Sequence, residues 1–378
     1  HVPHNCKHCN MFGGVLRELG PIGVVAVGLI YCLGHFEQIE FRTLPKHNFS
    51  VVQDVGYLEG STAKEHTLDI YYPPISTNDP ALRVPVVFFV HGGGWKRGNK
   101  RSFIGVHQNI GKALAARGVV VVIPAYRKSV GPSAMGGLIM PVFLTSLVLG
   151  CTWSVMRFFP RFRFQYLRLG MLLWVGFVAS DVLPATYRVV NNRGVRYPAH
   201  AHDVAHALSW VTLNIETYGG DVDDIQCLGH SAGAHLLAQM MVQPELTANI
   251  GLPKQQFASH FRGAILVSGT YDGQNMADSW LTRWTFMYWV FDRDPSKWVS
   301  SFPSYHSTPA SLARLDLPPI VLINAEYDLW LPMEARAWAS KLRDGGVVNV
   351  TTMQIAHTNH FTILLSLNRG FSPGETHV

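Results

Sequence analysis

The chain has 378 residues, of which 48% are hydrophobic and 15% are charged, and its formal net charge is +6. This length suits one large α/β domain with attachments, or two domains at most. A basic chain can bind nucleic acid, but there is no basic run with interleaved aromatic residues beyond one short arginine cluster, so we expect no nucleic-acid partner. The five scattered cysteines exclude a disulfide framework. We interpret the apolar composition and positive charge as attraction to a membrane surface.

The amino-terminal region contains a candidate membrane segment. We interpret residues 1–18 as a tail, whose His4, Cys6, His8 and Cys9 lack the second half-site that zinc sites normally have, so we expect no metal. Residues 19–36 are uncharged and mostly apolar, which predicts a transmembrane or signal-anchor segment, with a signal-peptide core as the alternative. Because the chain begins at His1, we expect a fragment, a processed form or an incomplete gene model.

A glycine-rich loop follows the first strongly apolar run. Residues 86–90 predict a buried strand, and they lead directly into H-G-G-G-W at 91–95. Three glycines in succession leave backbone N–H groups uncrowded by side chains, as needed to bind a developing oxyanion. We predict that Gly93 and Gly94 supply such donors. Taken alone, the loop could equally be an ordinary turn.

An apolar insertion interrupts the middle of the chain. The predicted strand at 119–125 and the predicted helix at 201–215 need only a short connection, but about fifty extra residues lie between them. Within the insertion, 130–183, the first 27 positions carry no charge, which predicts a membrane-embedded helical hairpin. The alternative is a soluble lid of apolar helices. Four arginines lie at the tip of this hairpin, and if they are cytoplasmic, both of its ends face the lumen. They are Arg157, Arg161, Arg163 and Arg168.

The most informative motif is G-H-S-A-G at 229–233. It lies between the apolar run 225–228 and a helix-like stretch at 235–240. A strand, a sharp turn and a helix lift a serine hydroxyl out of a sheet for nucleophilic attack, and flanking glycines let the strand and the helix pass closely. The motif alone is a weak signal, but H-G-G-G precedes it in the right order. We predict that Ser231 is the nucleophile and that the N–H of Ala232 is the third oxyanion donor.

Aromatic residues cluster after the predicted strand at 263–268. They recur at steps of three and four, which predicts a helical stripe, at Trp280, Trp284, Tyr288 and Phe291. Core packing is one interpretation. The others are the apolar wall of a substrate pocket and a tryptophan belt at a bilayer interface. The pocket residues that we predict are Trp95, His230, Trp280 and Trp284.

An acid and a base follow the last two predicted strands. Residues 318–324 read as a buried strand that leads to Asp328, and the strand at 348–355 leads to His357 and His360. A carboxylate just past the carboxyl end of a strand can orient an imidazole across the edge of the sheet. Either histidine could be the base. Glu326 and Asp272 are alternatives for the acid.

These motifs resemble the branch of the α/β-hydrolase superfamily that contains isoprenylcysteine methylesterases and kynurenine formamidases. The resemblance rests on residues 91–95, 229–233 and 317–332 and on His360. In that branch the triad histidine lies about as far beyond the aspartate as His360 lies beyond Asp328, 360 − 328 = 32 positions, which favours His360 over His357. The apolar Phe361 is also typical of the helix that follows such a base.

The resemblance implies a mostly parallel central sheet flanked by helices, formed by residues 45–129 and 184–370, with a Ser231-His360-Asp328 triad. It implies a serine carboxylesterase that needs no metal or cofactor and acts on a small-molecule or lipid-like ester, such as a prenylcysteine methyl ester. A kynurenine formamidase-like amide hydrolase is the alternative. A catalytically inactive interaction protein is disfavoured because the serine, the histidine and the oxyanion glycines are all present. With the membrane segments, we expect an endoplasmic reticulum or Golgi protein whose catalytic domain is lumenal.

Overall fold

The structure is a computed structural model, and it describes residues 49–74, 82–101, 106–130, 195–248 and 261–364. These residues form one sheet with the strand order β1-β2-β4-β3-β5-β6-β7-β8. Its strands are β1 Ser50–Gly56, β2 Thr67–Tyr72, β3 Val84–Val90, β4 Val120–Pro124, β5 Gly220–His230, β6 Phe261–Val267, β7 Ile320–Tyr327 and β8 Val350–Asn359. The pairs β1/β2 and β2/β4 are antiparallel, and the remaining pairs are parallel. The carboxyl ends of β3, β5, β7 and β8 therefore meet at one edge of the sheet.

Helices flank this sheet. They are α1 Val106–Ala115, α2 Ala199–Asn214, α3 Ala232–Val242, α4 Glu245–Ala248, α5 Gln274–Asp278, α6 Trp280–Thr282, α7 Pro303–His306, α8 Pro309–Leu312 and α9 Leu331–Asp344. A π-helical segment spans Arg283–Phe291, and 3₁₀ turns span Ile215–Tyr218, Pro295–Lys297 and Val299–Ser301. Helix α3 is buried along its whole length because it packs against β5 and β6 as well as against α2 and α7.

The parallel strands are the apolar runs of the sequence. All five residues of β4 are buried, as expected where helices cover both faces of a parallel sheet. Four predicted strands are confirmed, since β3, β4, β6 and β7 overlap the ranges predicted at 86–90, 119–125, 263–268 and 318–324. Strand β5 begins at Gly220, five residues before its apolar run, and its pairing with β3 shifts register between Val84 and Val86. The polar first half of β5 carries no apolar signal, so periodicity could not predict it.

Several predictions concern residues outside the described ranges. They are the predictions for the tail at 1–18 with its histidines and cysteines, for the segment at 19–36, and for the insertion at 130–183 apart from its first residue. Within the ranges that are described, no helix combines the length and the apolar character needed to cross a bilayer. The described residues all belong to one compact unit, and all but Val130 fall within the predicted catalytic ranges 45–129 and 184–370.

A buried carboxylate ties the first loops of the sheet to α2. Asp203 is 1% exposed and accepts hydrogen bonds from the backbone N–H of Arg127 at 2.8 Å and from its guanidinium at 2.6 and 2.9 Å. The ring Nε2 of His66, which precedes β2, lies 3.3 Å from the same carboxylate. Three segments that are distant in the sequence therefore share one buried charge.

We expect Asp203→Ala to lower the free energy of unfolding by about 3 kcal/mol, because it leaves a charge without its buried partner. The loss lies at the low end for such pairs since the Arg127 side chain is 38% exposed and can reach water. Urea unfolding measures it. The control is Asp344→Ala on the exposed end of α9, which should change stability by less than about 0.5 kcal/mol. Equal effects of the two substitutions would contradict the role of Asp203.

Candidate active site

Ser231 occupies the turn between β5 and α3. Its backbone φ is 53° and ψ is −119°, a conformation that costs a non-glycine residue roughly 1–3 kcal/mol. The Ser231 N–H donates to the carbonyl of Val267 at 2.8 Å, which ties the turn to the end of β6. The turn points the serine hydroxyl away from the sheet at the edge where the parallel strands end.

The glycines on either side of the turn permit close approach. A side chain at Gly229 would lie 2.7 Å from the Cα of Ala234 at the start of α3. A side chain at Gly233 would collide with the backbone of Val90 and His91 at the end of β3. The close passage of strand and helix that the motif predicts is therefore confirmed.

The structure brings the three predicted triad residues together. Asp328 directly follows β7 and His360 directly follows β8. The Oγ of Ser231 lies 3.0 Å from Nε2 of His360, and Nδ1 of His360 lies 2.6 Å from Oδ1 of Asp328. Because a carboxylate accepts, Nδ1 carries the proton, and Nε2 of the neutral ring is free to accept the proton of the serine hydroxyl.

Asp328 is held in its ionised form. Its side chain is fully buried, and its second oxygen accepts hydrogen bonds from the Asn324 amide at 3.2 Å and the Ala325 N–H at 3.3 Å. Burial alone would raise the pKa of Asp328, but the hydrogen bonds from His360 and Asn324 outweigh it and leave the pKa below its ordinary value. A carboxylate in this state orients the imidazole and stabilises its charged form.

The alternative acids and base lie elsewhere. The side chain of His357 is 93% exposed, and its backbone N–H donates to Glu326 at 2.6 Å. Asp272 accepts from the N–H of Gln274 at 2.8 Å in the loop that leads to α5. In the part of the chain that the structure describes, none of the three hydrogen-bonds to Ser231, Asp328 or His360. His357 instead links the ends of β7 and β8.

The glycine-rich loop adjoins the nucleophile. A side chain at Gly92 would lie 3.0 Å from Cβ of Ser231. Gly93 has a φ of 123°, and a side chain there would collide with the backbone of Arg97, so only glycine fits. None of the described residues accepts a hydrogen bond from the N–H of Gly93 or of Gly94.

The third predicted donor is at the amino terminus of α3. Ala232 is the first residue of that helix, where N–H groups have no acceptor within the helix and favour negative charge. The N–H of Ser231 is already bonded to Val267 and cannot serve instead. The assignment of Gly93, Gly94 and Ala232 as oxyanion donors stays a prediction.

The predicted pocket residues lie in different surroundings. Trp280 and Trp284 are 74% and 38% exposed, whereas Trp95 and His230 are buried. A side chain at Gly94 would lie 2.6 Å from the ring of Phe286. Phe286 therefore lies beside the glycine-rich loop at 91–95, which we call the oxyanion loop after its predicted role. Sequence reasoning missed Phe286 because the π-helical segment has a wider turn than the α-helical stripe assumes. The pocket role of the four predicted residues stays a prediction.

Two neutral histidines support the site. His235 on α3 accepts from the Trp95 indole at 3.3 Å and donates to the Ser301 carbonyl at 2.8 Å, and burial lowers its pKa to about 4. His230 donates through Nε2 to the carbonyl of His360 at 2.9 Å, and burial lowers its pKa to about 3. The sequence gives no signal for these bonds, since the partners are distant in the chain.

Comparisons with known proteins support the same fold. A family model described as alpha/beta hydrolase fold matches residues 191–364, and a second, BD-FAE, matches residues 68–135. The chain has the α/β-hydrolase fold and resembles its serine esterases. Esterase LipQ of Mycobacterium tuberculosis is 31% identical over 169 residues, which cover 43% of this chain and 39% of that protein. A probable isoprenylcysteine alpha-carbonyl methylesterase of Oryza sativa subsp. japonica is 24% identical over 74% of this chain and 51% of its own length.

Solved structures share the fold at low sequence identity. Esterase B from Lactobacillus rhamnosis superimposes with a TM-score of 0.56 at 17% identity, over 91% of this chain and 88% of that one. A thermostable esterase from Pseudomonas putida gives 0.54 at 18% identity, over 98% and 93%. At these identities the likeness establishes the fold alone. The chain spans between 39% and 51% of the length of the first four curated relatives that it matches.

Buried histidines should make the protein sensitive to acid. Burial lowers the pKa of His200, which contacts the Ser129 hydroxyl at 2.8 Å, to about 3, as for His230. An unfolded histidine has a pKa of about 6.5, so the unfolded state binds more protons below that pH. Stability therefore falls as the pH decreases from about 6.5 towards 4, by up to about 1.4 kcal/mol per pH unit for each such histidine.

Urea unfolding between pH 7 and pH 5 measures this slope. His200→Gln should reduce the dependence of the unfolding free energy on pH by the contribution of one histidine, because glutamine does not titrate. Equal stability at pH 7 and pH 5 in the unsubstituted protein, or an unchanged slope in a folded His200→Gln variant, would contradict the expectation.

Proposed function

We propose that the chain hydrolyses carboxylic esters through an acyl-enzyme formed on Ser231. The observation that carries this proposal is the continuous chain of hydrogen bonds, 3.0 Å from Ser231 to His360 and 2.6 Å from His360 to Asp328. Ser231 Oγ attacks the ester carbonyl while Nε2 of His360 takes its proton, and Asp328 stabilises the resulting imidazolium. The backbone donors at Gly93, Gly94 and Ala232 stabilise the tetrahedral oxyanion.

The same groups complete the reaction. Collapse of the tetrahedral intermediate breaks the ester C–O bond, and His360 gives its proton to the departing alkoxide, which leaves as the alcohol. His360 then takes a proton from water as the water attacks the acyl carbonyl, and returns it to Ser231 when the acid is released. Every proton passes through Nε2 of His360, so acylation and deacylation need no further acid or base.

The surroundings of the oxyanion loop favour an apolar ester. The ring of Phe286 packs at Gly94 and is only partly buried, so its face forms an aromatic wall beside the loop. Trp95 and Phe291, which contact each other, are buried beneath it. Such a wall suits a hydrocarbon chain better than a charged group. The likeness to a probable isoprenylcysteine methylesterase supports a lipidated or prenylcysteine methyl ester as the substrate. A formamide is the alternative that the assay below distinguishes.

Fluorophosphonate labelling and hydrolysis of a short aryl ester test the nucleophile. We expect Ser231→Ala to abolish labelling and to lower kcat by about 10⁶-fold, because the nucleophile and base act as a unit. His360→Ala should cause a similar loss, and Asp328→Asn a loss of about 10⁴-fold. The matched control is His357→Ala, which removes an exposed ring and should leave kcat unchanged. Labelling that persists in Ser231→Ala would refute the assignment.

A substrate series tests the acyl and leaving groups. We expect kcat/KM to rise with chain length for a set of aryl esters, because a longer chain buries more area against the aromatic wall. A prenylcysteine methyl ester should be hydrolysed, and N-formylkynurenine should be hydrolysed poorly. Preference for N-formylkynurenine over every ester would replace the proposed activity with that of an amide hydrolase.

We further propose that the protein is attached to the membrane of the endoplasmic reticulum or Golgi, with its catalytic domain in the lumen. The 27 uncharged positions at the start of the insertion and the four arginines after them support this placement.

A protein lacking residues 1–40 should stay in the membrane fraction through alkaline carbonate washing. Recovery of that protein as a soluble, active monomer would instead support a lid.

A further inference from the structure

His230 stands between the nucleophile and the base. It is the last residue of β5, immediately before Ser231, and it is 4% exposed. Its Nε2 lies 2.9 Å from the backbone carbonyl oxygen of His360. Because a carbonyl oxygen only accepts, Nε2 carries the proton and the ring is a donor at this position. The depressed pKa of the buried ring, about 3, keeps it uncharged at neutral pH.

The ring of His230 is enclosed on two sides. Its centroid lies 5.0 Å from that of His360, with 43° between the ring planes. On another side, a Cβ on Gly92 would lie 2.7 Å from its Nδ1, so the first glycine of the oxyanion loop leaves room for this ring. The ring therefore has one packed position, which directs Nε2 at the turn that carries the base.

The turn that carries the base begins at the end of β8, where Asn359 pairs with Tyr327 of β7. The side chain of Asn359 accepts from the N–H groups of Phe361 and Thr362 at 3.0 Å each, and the Asn359 N–H donates to the Thr362 hydroxyl at 2.9 Å. These bonds hold the turn's own shape, and the side chain of His360 is bonded to Asp328. The bond from His230 joins the backbone of His360 to β5, the strand that also carries Ser231.

We propose that His230 is a positioning residue for the base: its Nε2–H holds the backbone of His360 at the distance that lets the imidazole reach Ser231. The inference rests on the proposed ester hydrolysis. Displacement of a catalytic group by about 1 Å can cost on the order of 100-fold in rate, so one hydrogen bond at this backbone position has a measurable effect. The effect falls on kcat, because the hydrogen bond of His230 goes to the backbone of the base.

A pair of amide substitutions isolates this hydrogen bond. In His230→Gln the side-chain amide reaches the place of Nε2 and can donate to the His360 carbonyl. In His230→Asn the amide reaches only the place of Nδ1, although it is equally polar. We expect His230→Asn to lower kcat about 100-fold with little change in KM, and His230→Gln to recover most of that loss. Turnover is measured per active site titrated in the burst phase, so unfolded protein does not count.

The control is His306→Asn on α7. His306 also donates through Nε2 to a backbone carbonyl, that of Ser300 at 2.8 Å, and it takes part in neither hydrogen bond of the triad. Its kcat should equal that of the unsubstituted protein. The proposal is overturned if His230→Asn keeps kcat, if His230→Gln and His230→Asn lose kcat equally, or if the loss lies in KM. No turnover and no labelling in the unsubstituted protein would refute ester hydrolysis itself, which is a separate result.

Discussion

The site depends on how closely β5, α3 and β3 approach one another at Ser231. The serine leaves the sheet with a positive φ of 53°, and this conformation persists because Gly229 and Gly233 let α3 begin against the ends of two strands. The strain is offset by the burial of α3 along its whole length and by the hydrogen bond from Ser231 to Val267. The same turn frees the first N–H of α3 for an oxyanion. The position of Ser231 and the predicted oxyanion donor thus both follow from one backbone geometry.

Two neutral histidines join the parts of the site to one another. His230 ties the base to β5, and His235 ties Trp95 of the oxyanion loop to α3 and to the Ser301 carbonyl. Burial keeps both rings uncharged, so each has one donor and one acceptor nitrogen and therefore a fixed role. Among the residues of the triad and these two histidines, only Asp328 is held ionised by its contacts, opposite the imidazole whose charge it stabilises.

The sequence predicted those parts of the molecule that are local in the chain. Parallel strands are buried on both faces and read as apolar runs, and the loop at 91–95 and the turn at 229–233 have glycines where the backbone needs them. The choice of His360 over His357 needed the family resemblance, since both follow the strand predicted at 348–355. The contacts of His230 could not be predicted because they join residues 130 positions apart. The inward-facing Phe286 was missed because a π-helical turn changes which side chains share a face.

The account's central claim is that Ser231, the oxyanion loop and His360 converge on one reacting carbon. The most direct test is a crystal structure of the protein after reaction with an alkyl fluorophosphonate, whose tetrahedral phosphorus stands in for that carbon. The account predicts a covalent bond from phosphorus to Oγ of Ser231, with the phosphoryl oxygen about 2.7–3.1 Å from the N–H nitrogens of Ala232 and of Gly93 or Gly94. An adduct on another residue, or a phosphoryl oxygen directed away from these N–H groups, would contradict it.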